Sequence, residues 1–425
     1  MKKMSEQYIR KIREKDFPWL DGSGRVYLDN TATSQEPLSV IDRITEYRKE
    51  FPRGSNHSAN SREARRIGYC FKHAKEKIAN YFCATNYDLA ITSGTTESSS
   101  IIATRAKFKP GDLVLLTYME HTSGMVPQRN CANDAKAKVN YVSVLPDGRL
   151  NLNELERARK GTNQVWLNLV HVSNVTGIVN PVKEIREAVG DSTIIYLDMA
   201  QSAGHVPINL DELGVDFAGF SAHKMYGPMG VGGLFINRER SSEKFLRDNI
   251  LGGGAVNIVG IGYEEPAESP QKFESGTKNL EGVVELGYAI DWINENIGVT
   301  NIHQRDDALG SNLLKDLLAV PGVKVYGPQA FDGDRTAVIT FNLNNIDPSN
   351  RNYSVVAKML SERKISARDG CFCAQPYMAE LLGEDNTPRN PIKRGAVRIS
   401  PTFYNTMEEI KKAVEAVKEI TEELK

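Results

Sequence analysis

The feature that most constrains this sequence is a series of short apolar runs, each of which ends in polar residues. The runs alternate with helical segments, which is typical of a largely parallel sheet covered by helices on both faces. Ligands of such sheets bind beyond the carboxyl ends of the strands, so we predict that the polar ends meet at one site. Polar residues that only cap surface loops would explain each end alone, but not five successive ones. The ends contain Thr95 and Thr96, His121, Asn174, Asp198 with Gln201, and His223 with Lys224.

The chain has 425 residues, more than one ordinary hydrophobic core accommodates, so we expect several domains. The charged, amphipathic segment from Ala59 to Tyr81 predicts a helix. Residues 251–278 are rich in Gly, Glu and Pro and predict a long functional loop. We divide the chain into a helical arm (1–24), a large α/β domain (25–265), a loop with a linker helix (266–296) and a smaller α+β domain (297–425).

Charge and cysteine content argue against several classes of protein. Lys and Arg number 53 and Asp and Glu number 54, and a net charge of −1 does not suit a broad binder of nucleic acid or membranes. No apolar run approaches the roughly 18 residues of a membrane span, and the charged N-terminus lacks the apolar core of a secretory signal. Five cysteines, an odd and low number for this length, argue against a disulfide framework and favour a reduced, cytoplasmic environment. Cys371 and Cys373 are too few ligands for structural zinc, so no metal is predicted.

Lys224 and Asp198 carry the most informative chemistry. A lysine at the ligand edge of a sheet can lose its proton by desolvation and form a Schiff base, although most lysines are simply exposed. Asp198 ends an apolar strand, where a buried carboxylate needs a cationic partner, unless it only caps the helix that begins near Gln201. The pyridinium nitrogen of pyridoxal phosphate is such a partner, and this cofactor also bonds a lysine. We therefore predict pyridoxal phosphate as the cofactor.

The same cofactor requires a phosphate site. The turn Gly94-Thr95-Thr96 lies between a strand and a helix and supplies backbone N–H groups, hydroxyls and a positive helix end. Thr is also an ordinary helix cap, so this turn alone is a weak indication. Ser221 and His223 can add further donors, and His121 can lie flat against the cofactor ring.

These motifs resemble the class V aminotransferase family of fold-type I pyridoxal-phosphate enzymes, over about residues 25–420. Within it the chain is most similar to the SUF-type (group II) cysteine desulfurases and selenocysteine lyases. The resemblance implies an α/β fold whose large domain has a mostly parallel seven-stranded sheet. The motifs are Ser93-Gly94-Thr95-Thr96-Glu97, Met119-Glu120-His121, His171-Val172-Ser173-Asn174, Leu197-Asp198-Met199-Ala200-Gln201, Ser221-Ala222-His223-Lys224-Met225-Tyr226-Gly227-Pro228, Phe273-Glu274-Ser275-Gly276-Thr277, Arg368-Asp369-Gly370-Cys371-Phe372-Cys373 and Arg398-Ile399-Ser400.

The resemblance also implies a role for each site residue. Lys224 would bind the cofactor and later move protons, Cys373 would accept sulfur, and His121 would stack on the ring and exchange protons. Among the implied cofactor contacts, Asp198 would pair with the ring nitrogen and Gln201 with the phenolic oxygen. The phosphate would be bound by Thr95, Thr96, Ser221 and His223. The resemblance also implies a homodimer, in which Thr277 of the other subunit would reach the same phosphate. The implied substrate contacts are Asn174, which also lies beside the cofactor, Arg368 and Arg398.

The implied activity is that of a cysteine desulfurase, a sulfurtransferase. L-cysteine becomes L-alanine, and its sulfur passes to Cys373 as a persulfide for iron–sulfur cluster assembly or another sulfur-transfer pathway. A sulfur-acceptor or scaffold protein is then an expected partner. The alternative is another class V enzyme, such as a cysteine lyase, an aminotransferase, a kynureninase or an epimerase-like member. A catalytically idle scaffold homologue is a further alternative.

Cys371 and Phe372 depart from the group II pattern, in which histidines precede the reactive cysteine. A Cys-Phe-Cys tract is similar to that of molybdenum-cofactor sulfurases, but we expect the stretch after Cys373 to be too short for their C-terminal domain. Cys371 either resolves the Cys373 persulfide or packs as a small apolar residue. The sequence leaves open the sulfur acceptor, the preference for cysteine or selenocysteine, and the order of the loop that carries Cys373.

Overall fold

The computed structural model describes residues 5–50, 54, 60–159, 164–248, 252–344, 352–387 and 389–424. Ala59 and Leu251, at the starts of two segments discussed above, lie outside these ranges. The helices are α1 (Glu6–Asp16), α2 (Pro18–Gly22), α3 (Leu38–Glu50), α4 (Arg62–Tyr81), α5 (Thr95–Arg105), α6 (Thr122–Asp134), α7 (Leu152–Ala158), α8 (Val182–Val189), α9 (Leu210–Leu213), α10 (Leu280–Asn296), α11 (Val299–Leu318), α12 (Asn352–Glu362), α13 (Gln375–Leu382) and α14 (Met407–Glu423). The strands are β1 (Val26–Tyr27), β2 (Tyr87–Thr92), β3 (Leu113–Thr117), β4 (Lys138–Val142), β5 (Val165–Val170), β6 (Ile194–Asp198), β7 (Phe217–Ser221), β8 (Gly232–Asn237), β9 (Val256–Gly260), β10 (Tyr263–Pro266), β11 (Val323–Tyr326), β12 (Ile339–Leu343), β13 (Ile365–Ser366), β14 (Arg368–Gly370) and β15 (Ala396–Ile399).

Seven strands form one large sheet in the order β2-β8-β7-β6-β5-β3-β4. Strand β8 is antiparallel to both of its neighbours, and the other four pairings are parallel, so the mostly parallel seven-stranded sheet is confirmed. Alternate residues of β3 belong to different apolar clusters, Leu115 to one and Val114 to another, which shows that helices cover both faces. Burial on both faces explains why β3, β5 and β6 consist mainly of apolar residues.

A second sheet has the order β11-β12-β15-β14, with every pairing antiparallel. Helices α11, α12 and α14 pack on it through one apolar cluster. The side chain of Thr406 and that of Glu409 form a capping box that starts α14. Strand β1 pairs in parallel with β13, and its residue Val26 and the following Leu28 belong to the same cluster. The α+β architecture of the C-terminal part is thus observed, whereas the proposed domain boundaries stay predictions.

The long loop predicted over residues 251–278 is wrong for its central part. Strands β9 and β10 pair as an antiparallel hairpin, and Gly262 takes a φ of 86° at its two-residue turn. Composition concealed the hairpin because its apolar side chains, among them Val259, Ile261 and Tyr263, are exposed rather than buried on one face. No helix among the described residues is both long and apolar enough to cross a membrane.

A buried arginine joins the two sheets behind the ends of the large-sheet strands. The guanidinium of Arg335, whose side chain is fully buried, donates to the carbonyl oxygens of Pro328, Thr176 and Val338. Backbone hydrogen bonds from Val179 and Thr336 tie the same two segments together. The loop after β5 is therefore anchored to the segment that leads into β12.

We expect Arg335→Met to lower the melting temperature by roughly 5–10 °C, because three buried carbonyl oxygens lose their donor. Differential scanning calorimetry measures this change. The control is Lys183→Met, which removes an exposed lysine paired with Glu212 and should change the melting temperature by about 1–2 °C at most. Equal melting temperatures for the two variants would contradict the anchoring role.

Candidate active site

The polar strand ends do meet, at a cavity of about 290 Å³ at the carboxyl edge of the large sheet. The predicted site residues that line it are Thr95, Thr96, His121, Asn174, Asp198, Gln201, Ser221, His223, Lys224, Arg368, Cys373 and Arg398. Thr277 is the exception, because it lines a separate cavity beside Tyr47 and Arg66. Sequence reasoning missed Thr31, Ser123 and Phe372, which also line the main cavity.

One end of the cavity is built to hold an anion. Helix α5 starts at Thr95, directly after Gly94, whose φ is 151°. The Thr95 N–H donates to Ser221 Oγ at 2.8 Å, and the two hydroxyl oxygens of these residues also lie 2.8 Å apart. A Cβ on Gly94 would lie 3.0 Å from Ser221 Oγ and would narrow this cradle. Backbone N–H groups, hydroxyls and a helix N-terminus together fit a phosphate group.

Lys224 and Asp198 form the charged pair at the centre. Burial lowers the pKa of Lys224, and the Asp198 charge opposes that shift. Burial raises the pKa of Asp198, while the Ala200 N–H, 2.8 Å from Asp198 Oδ1, and the Lys224 charge lower it. Asp198 thus does cap the turn that follows it, which was the simpler alternative. That hydrogen bond occupies only Oδ1. The other carboxylate oxygen, Oδ2, can still pair with a cationic ring nitrogen.

His121 is held in one tautomer. The backbone N–H of Ser123 donates to His121 Nδ1 at 3.2 Å, so the proton of the neutral ring lies on Nε2. Burial, together with the positive charges of Lys224 and Arg398, lowers the pKa of His121 to about 4. The ring is therefore neutral at pH 7.

The other end of the cavity contains two arginines that share one carboxylate. Arg398 is buried and donates to the Asn174 carbonyl at 2.9 Å and to Asp29 Oδ1 at 3.2 Å. Arg368, which is half exposed, pairs with Asp29 Oδ2 at 2.7 Å. Sequence reasoning missed Asp29, which lies two residues after the end of strand β1.

Cys373 lies on a turn whose backbone is constrained at two successive positions. Phe372 and Cys373 have φ values of 53° and 54°, in the left-handed region. The Asn174 amide donates to the Phe372 carbonyl at 2.6 Å, and the Thr122 N–H donates to the Cys373 carbonyl at 2.8 Å. The turn therefore presents an exposed thiol at the cavity.

Cys371 points elsewhere. Its Sγ donates to the Arg394 carbonyl at 3.3 Å, and its side chain packs against the apolar cluster of the large sheet. Burial raises the pKa of this thiol, which disfavours the reactive thiolate. These contacts favour the packing interpretation of Cys371 over the resolving one.

Three buried polar atoms of the cavity wall lack a hydrogen-bond partner within the described part of the chain. They are Thr31 Oγ1, Asn174 Oδ1 and Arg398 Nε. Buried polar atoms are normally paired, so their grouping here fits a site that a polar ligand completes. Together with the anion cradle and the Lys224–Asp198 pair, they fit pyridoxal phosphate and an amino-acid substrate.

Glu120, the residue before His121, is a buried carboxyl group that sequence reasoning left without a role. It accepts hydrogen bonds from the Thr117 hydroxyl at 2.6 Å, the Val170 N–H at 3.1 Å and the Asn168 amide at 2.6 Å. Burial raises its pKa to about 8 despite these donors, and the Asp198 charge adds to the shift. Glu120 is therefore protonated at neutral pH.

We expect Glu120→Gln to become more stable relative to the wild type as the pH rises from 5 to 8. The pKa of Glu120 rises from 4.5 to about 8 on folding, so only the unfolded chain gives up this proton in that interval, and the wild type loses stability. A glutamine side chain does not titrate in this pH range. The Asn168 side chain can rotate so that its unpaired Oδ1 accepts a hydrogen bond from the glutamine amide. Melting temperatures of both proteins between pH 5 and 8 test this; parallel curves would contradict a protonated Glu120.

The chain is similar to the proteins of one known family. The sequence model described as Aminotransferase class-V matches residues 26–413. A probable cysteine desulfurase of Halalkalibacterium halodurans is 35% identical over 420 residues, with 96% of each chain covered. Another, of Methanothermobacter thermautotrophicus, is 33% identical over 413 residues, again with 96% of each covered.

Solved structures agree with these sequence matches. The apo structure of a cysteine desulfurase from Thermococcus onnurineus has a TM-score of 0.86 at 29% identity, covering 97% of this chain and 98% of that one. The cysteine desulfurase CsdA of Escherichia coli has a TM-score of 0.83 at 26% identity, covering 98% of both. With a family match over nearly its whole length and relatives above 30% identity, the chain belongs to the class V aminotransferases.

Proposed function

We propose that this protein is a pyridoxal-phosphate-dependent cysteine desulfurase that converts L-cysteine to L-alanine and passes the sulfur to Cys373. The observation that carries the proposal is the exposed Cys373 thiol at the cavity that also contains Lys224, Asp198 and Arg398. An aminotransferase or an epimerase would use the same lysine and aspartate but would have no need of a thiol there. The probable cysteine desulfurases among its relatives support the proposal.

The cofactor would be held by the residues that form the cradle and the central pair. Lys224 would bond its aldehyde carbon, Asp198 would pair with its ring nitrogen, and Gln201 would donate to its phenolic oxygen. When bound, pyridoxal phosphate supplies an electron sink for the charge that develops on the substrate. The residues proposed for its phosphate are Thr95, Thr96, Ser221 and His223, with His121 against the ring and Asn174 beside it.

The chain's own groups would carry out the remaining tasks. Arg398 and Asn174 would bind the substrate carboxylate, and Arg368 would line the pocket. Lys224, whose pKa is lowered by burial, can be deprotonated and accept the Cα proton at Nζ. The Cys373 thiolate would attack the substrate sulfur, so that an S–S bond forms as the Cβ–S bond breaks, and Cβ gains a proton. His121 holds a proton on Nε2 that it can exchange with the substrate.

We expect wild-type protein, given L-cysteine and a reductant, to release alanine and sulfide in equal amounts, and Cys373→Ala to lose both. Cys371→Ala is the matched control and should retain most of the activity, because that thiol bonds the Arg394 carbonyl. Amino-acid analysis and a sulfide assay measure the two products. Sulfide accompanied by pyruvate would indicate a lyase, and an unchanged rate in Cys373→Ala would refute the sulfur-accepting role.

We further propose a homodimer in which Thr277 of one subunit reaches the cofactor phosphate of the other. Support comes from the position of Thr277, which lies outside the cavity of its own subunit. The persulfide sulfur would then pass to a protein or small-thiol acceptor, of which the machinery for iron–sulfur clusters is one candidate. A cytoplasmic location remains a prediction from the sequence.

Mixed dimers test the shared site. Thr277→Val should weaken cofactor affinity about tenfold, the loss expected for one hydrogen bond to a charged group. Lys224→Ala should abolish the absorption of the lysine-bound cofactor. When the two variant chains are combined in one dimer, the intact Lys224 meets an intact Thr277, and we expect one site of wild-type affinity. Affinity that stays at the Thr277→Val value would contradict sharing.

A further inference from the structure

Phe372, the residue before Cys373, contacts both groups that the proposed function assigns to the substrate carboxylate. The centroid of its ring lies 4.8 Å from the guanidinium carbon of Arg398. The Asn174 amide donates to its carbonyl oxygen at 2.6 Å. All four residues line the same cavity. The turn that carries the thiol and the groups for the carboxylate are therefore joined at one residue.

We propose that Phe372 is a positioning residue that holds the Arg398 guanidinium in place for the substrate carboxylate and ties it to the Cys373 turn. The inference rests on the proposed function and adds to it the group that sets the distance between the carboxylate site and the thiol. L-cysteine has to present its carboxylate and its sulfur at the same time, so an error in that distance slows sulfur transfer.

The ring of Phe372 restricts Arg398 without using any of its N–H groups. The guanidinium donates to the Asn174 carbonyl at 2.9 Å and to Asp29 at 3.2 Å, and its Nε has no hydrogen-bond partner among the described residues. A ring attracts a guanidinium through its face, and more strongly where little water reaches the charge. The side chain of Arg398 is only 4% exposed. The ring therefore holds the cation while Nε stays available to a ligand.

This contact does not compete with the cofactor. The residues proposed for the aldehyde carbon, ring nitrogen, phenolic oxygen and phosphate of the cofactor include neither Phe372 nor Arg398. We therefore expect the ring and the guanidinium to stay together in the cofactor-loaded protein, which is the state used in the experiments below.

Asn174 closes the link between the two groups. Its backbone carbonyl accepts a hydrogen bond from Arg398, and its side-chain nitrogen donates to the Phe372 carbonyl. An amide nitrogen has two protons, so one of them is left for the substrate carboxylate. Arg398, Asn174 and Phe372 thus each contact the other two, and a shift of one is transmitted to the turn.

The backbone of the turn depends on such contacts. Phe372 and Cys373 have φ values of 53° and 54°, a region that bulky residues rarely adopt. Conformations of this kind persist only where the surrounding structure fixes them. The Asn174 amide and the Thr122 N–H hold the two carbonyls, and the contact with Arg398 adds a constraint on the Phe372 side chain.

Two substitutions test whether the ring is required. Phe372→Leu keeps an apolar side chain but removes the ring, and we expect the dissociation constant of L-alanine to rise about fivefold. Phe372→Tyr keeps the ring and should change that constant by about twofold at most. The constants are measured with the cofactor-loaded protein, through the absorption change of the bound cofactor, and do not depend on turnover. If Phe372→Leu does not fold, Phe372→Met is the second variant without a ring.

Packing is the competing explanation, because Phe372 also belongs to the apolar cluster of the large sheet. In that case leucine, which is apolar and smaller, would be tolerated better than tyrosine, whose hydroxyl would enter the cluster. A reversed order of the two variants, or equal dissociation constants, would overturn the proposal. Phe245→Leu is the matched control, since Lys244 Nζ lies 4.9 Å from the Phe245 ring centroid and neither residue lines the cavity. It should leave the dissociation constant unchanged.

A double-mutant cycle tests whether Phe372 acts through Arg398. In an Arg398→Lys background the planar guanidinium is gone, so Phe372→Leu should raise the dissociation constant of L-alanine by less than about twofold. A fivefold effect that persists in this background would show that Phe372 does not act through Arg398 and would overturn the proposal.

The link to the thiol is tested by kinetics with L-cysteine. We expect Phe372→Leu to raise KM, because the carboxylate is held less well, and also to lower kcat about tenfold, because the Cys373 turn is no longer fixed against it. Phe372→Tyr should keep both values near those of the wild type. A raised KM with an unchanged kcat would overturn the link to the thiol.

The outcome is distinguishable from the fate of the proposed function. Production of alanine and sulfide by the wild type, with equal L-alanine affinities in all Phe372 variants, would uphold the desulfurase and reject the positioning role. Affinities in the expected order, in a protein that makes no alanine from L-cysteine, would uphold the hold of Phe372 on Arg398 and reject the sulfur chemistry.

Discussion

Burial drives Lys224 and Asp198 toward their neutral forms, and the charge of each opposes that shift in the other. The pair exists because β6 and β7 are neighbours in a parallel sheet, with Asp198 registered opposite Gly219 and Lys224 just past the end of β7. A carboxylate in water would keep its charge unaided, but this one depends on Lys224 and on the Ala200 N–H. The remaining groups of the site are arranged along the same sheet edge.

Cys373 reaches that edge from the second sheet, so its position depends on contacts between the two. Two successive non-glycine residues in the left-handed region cost roughly 1–2 kcal/mol each. Hydrogen bonds from Asn174, which follows β5, and from Thr122, which follows β3, hold the carbonyls of this turn. The loop after β5 is itself anchored by Arg335. The loops after the strands that form the proposed cofactor site therefore also hold the turn that carries the Cys373 thiol.

Sequence patterns predicted most of the large sheet because strands such as β3, β5 and β6 are buried on both faces and are mainly apolar. Helix α10 lies within residues 266–296, the segment for which a linker helix was predicted. The hairpin of β9 and β10 escaped because no burial pattern marks exposed strands. Helix α6 escaped because Gly124 and Pro127, which usually break helices, lie within it.

The site was predictable in so far as its residues follow strands along the chain. The role of Asp29 was not predictable, because nothing in the sequence indicates that its carboxylate pairs with two arginines far along the chain. The neutral state of Glu120 was not predictable either, because it results from burial. That burial depends on how Thr117, Asn168 and Val170 pack around the carboxyl group. Contacts between distant segments decide both cases, and local patterns do not record them.

Burial keeps several titratable side chains in and beside the cavity uncharged. The carboxyl of Glu120 and the rings of His121 and His223 are neutral at pH 7, so the fixed charges reduce to the Lys224–Asp198 pair and the two arginines that share Asp29. In a wet, highly charged cleft, one added or removed charge would be screened and would alter binding little. In this cavity Asp198 is affected by the charge of Lys224, and Asp29 pairs with both Arg368 and Arg398, so each carboxylate has an identifiable cationic partner. The low dielectric around buried groups such as Arg398 therefore makes each of these pairings stronger than it would be in water.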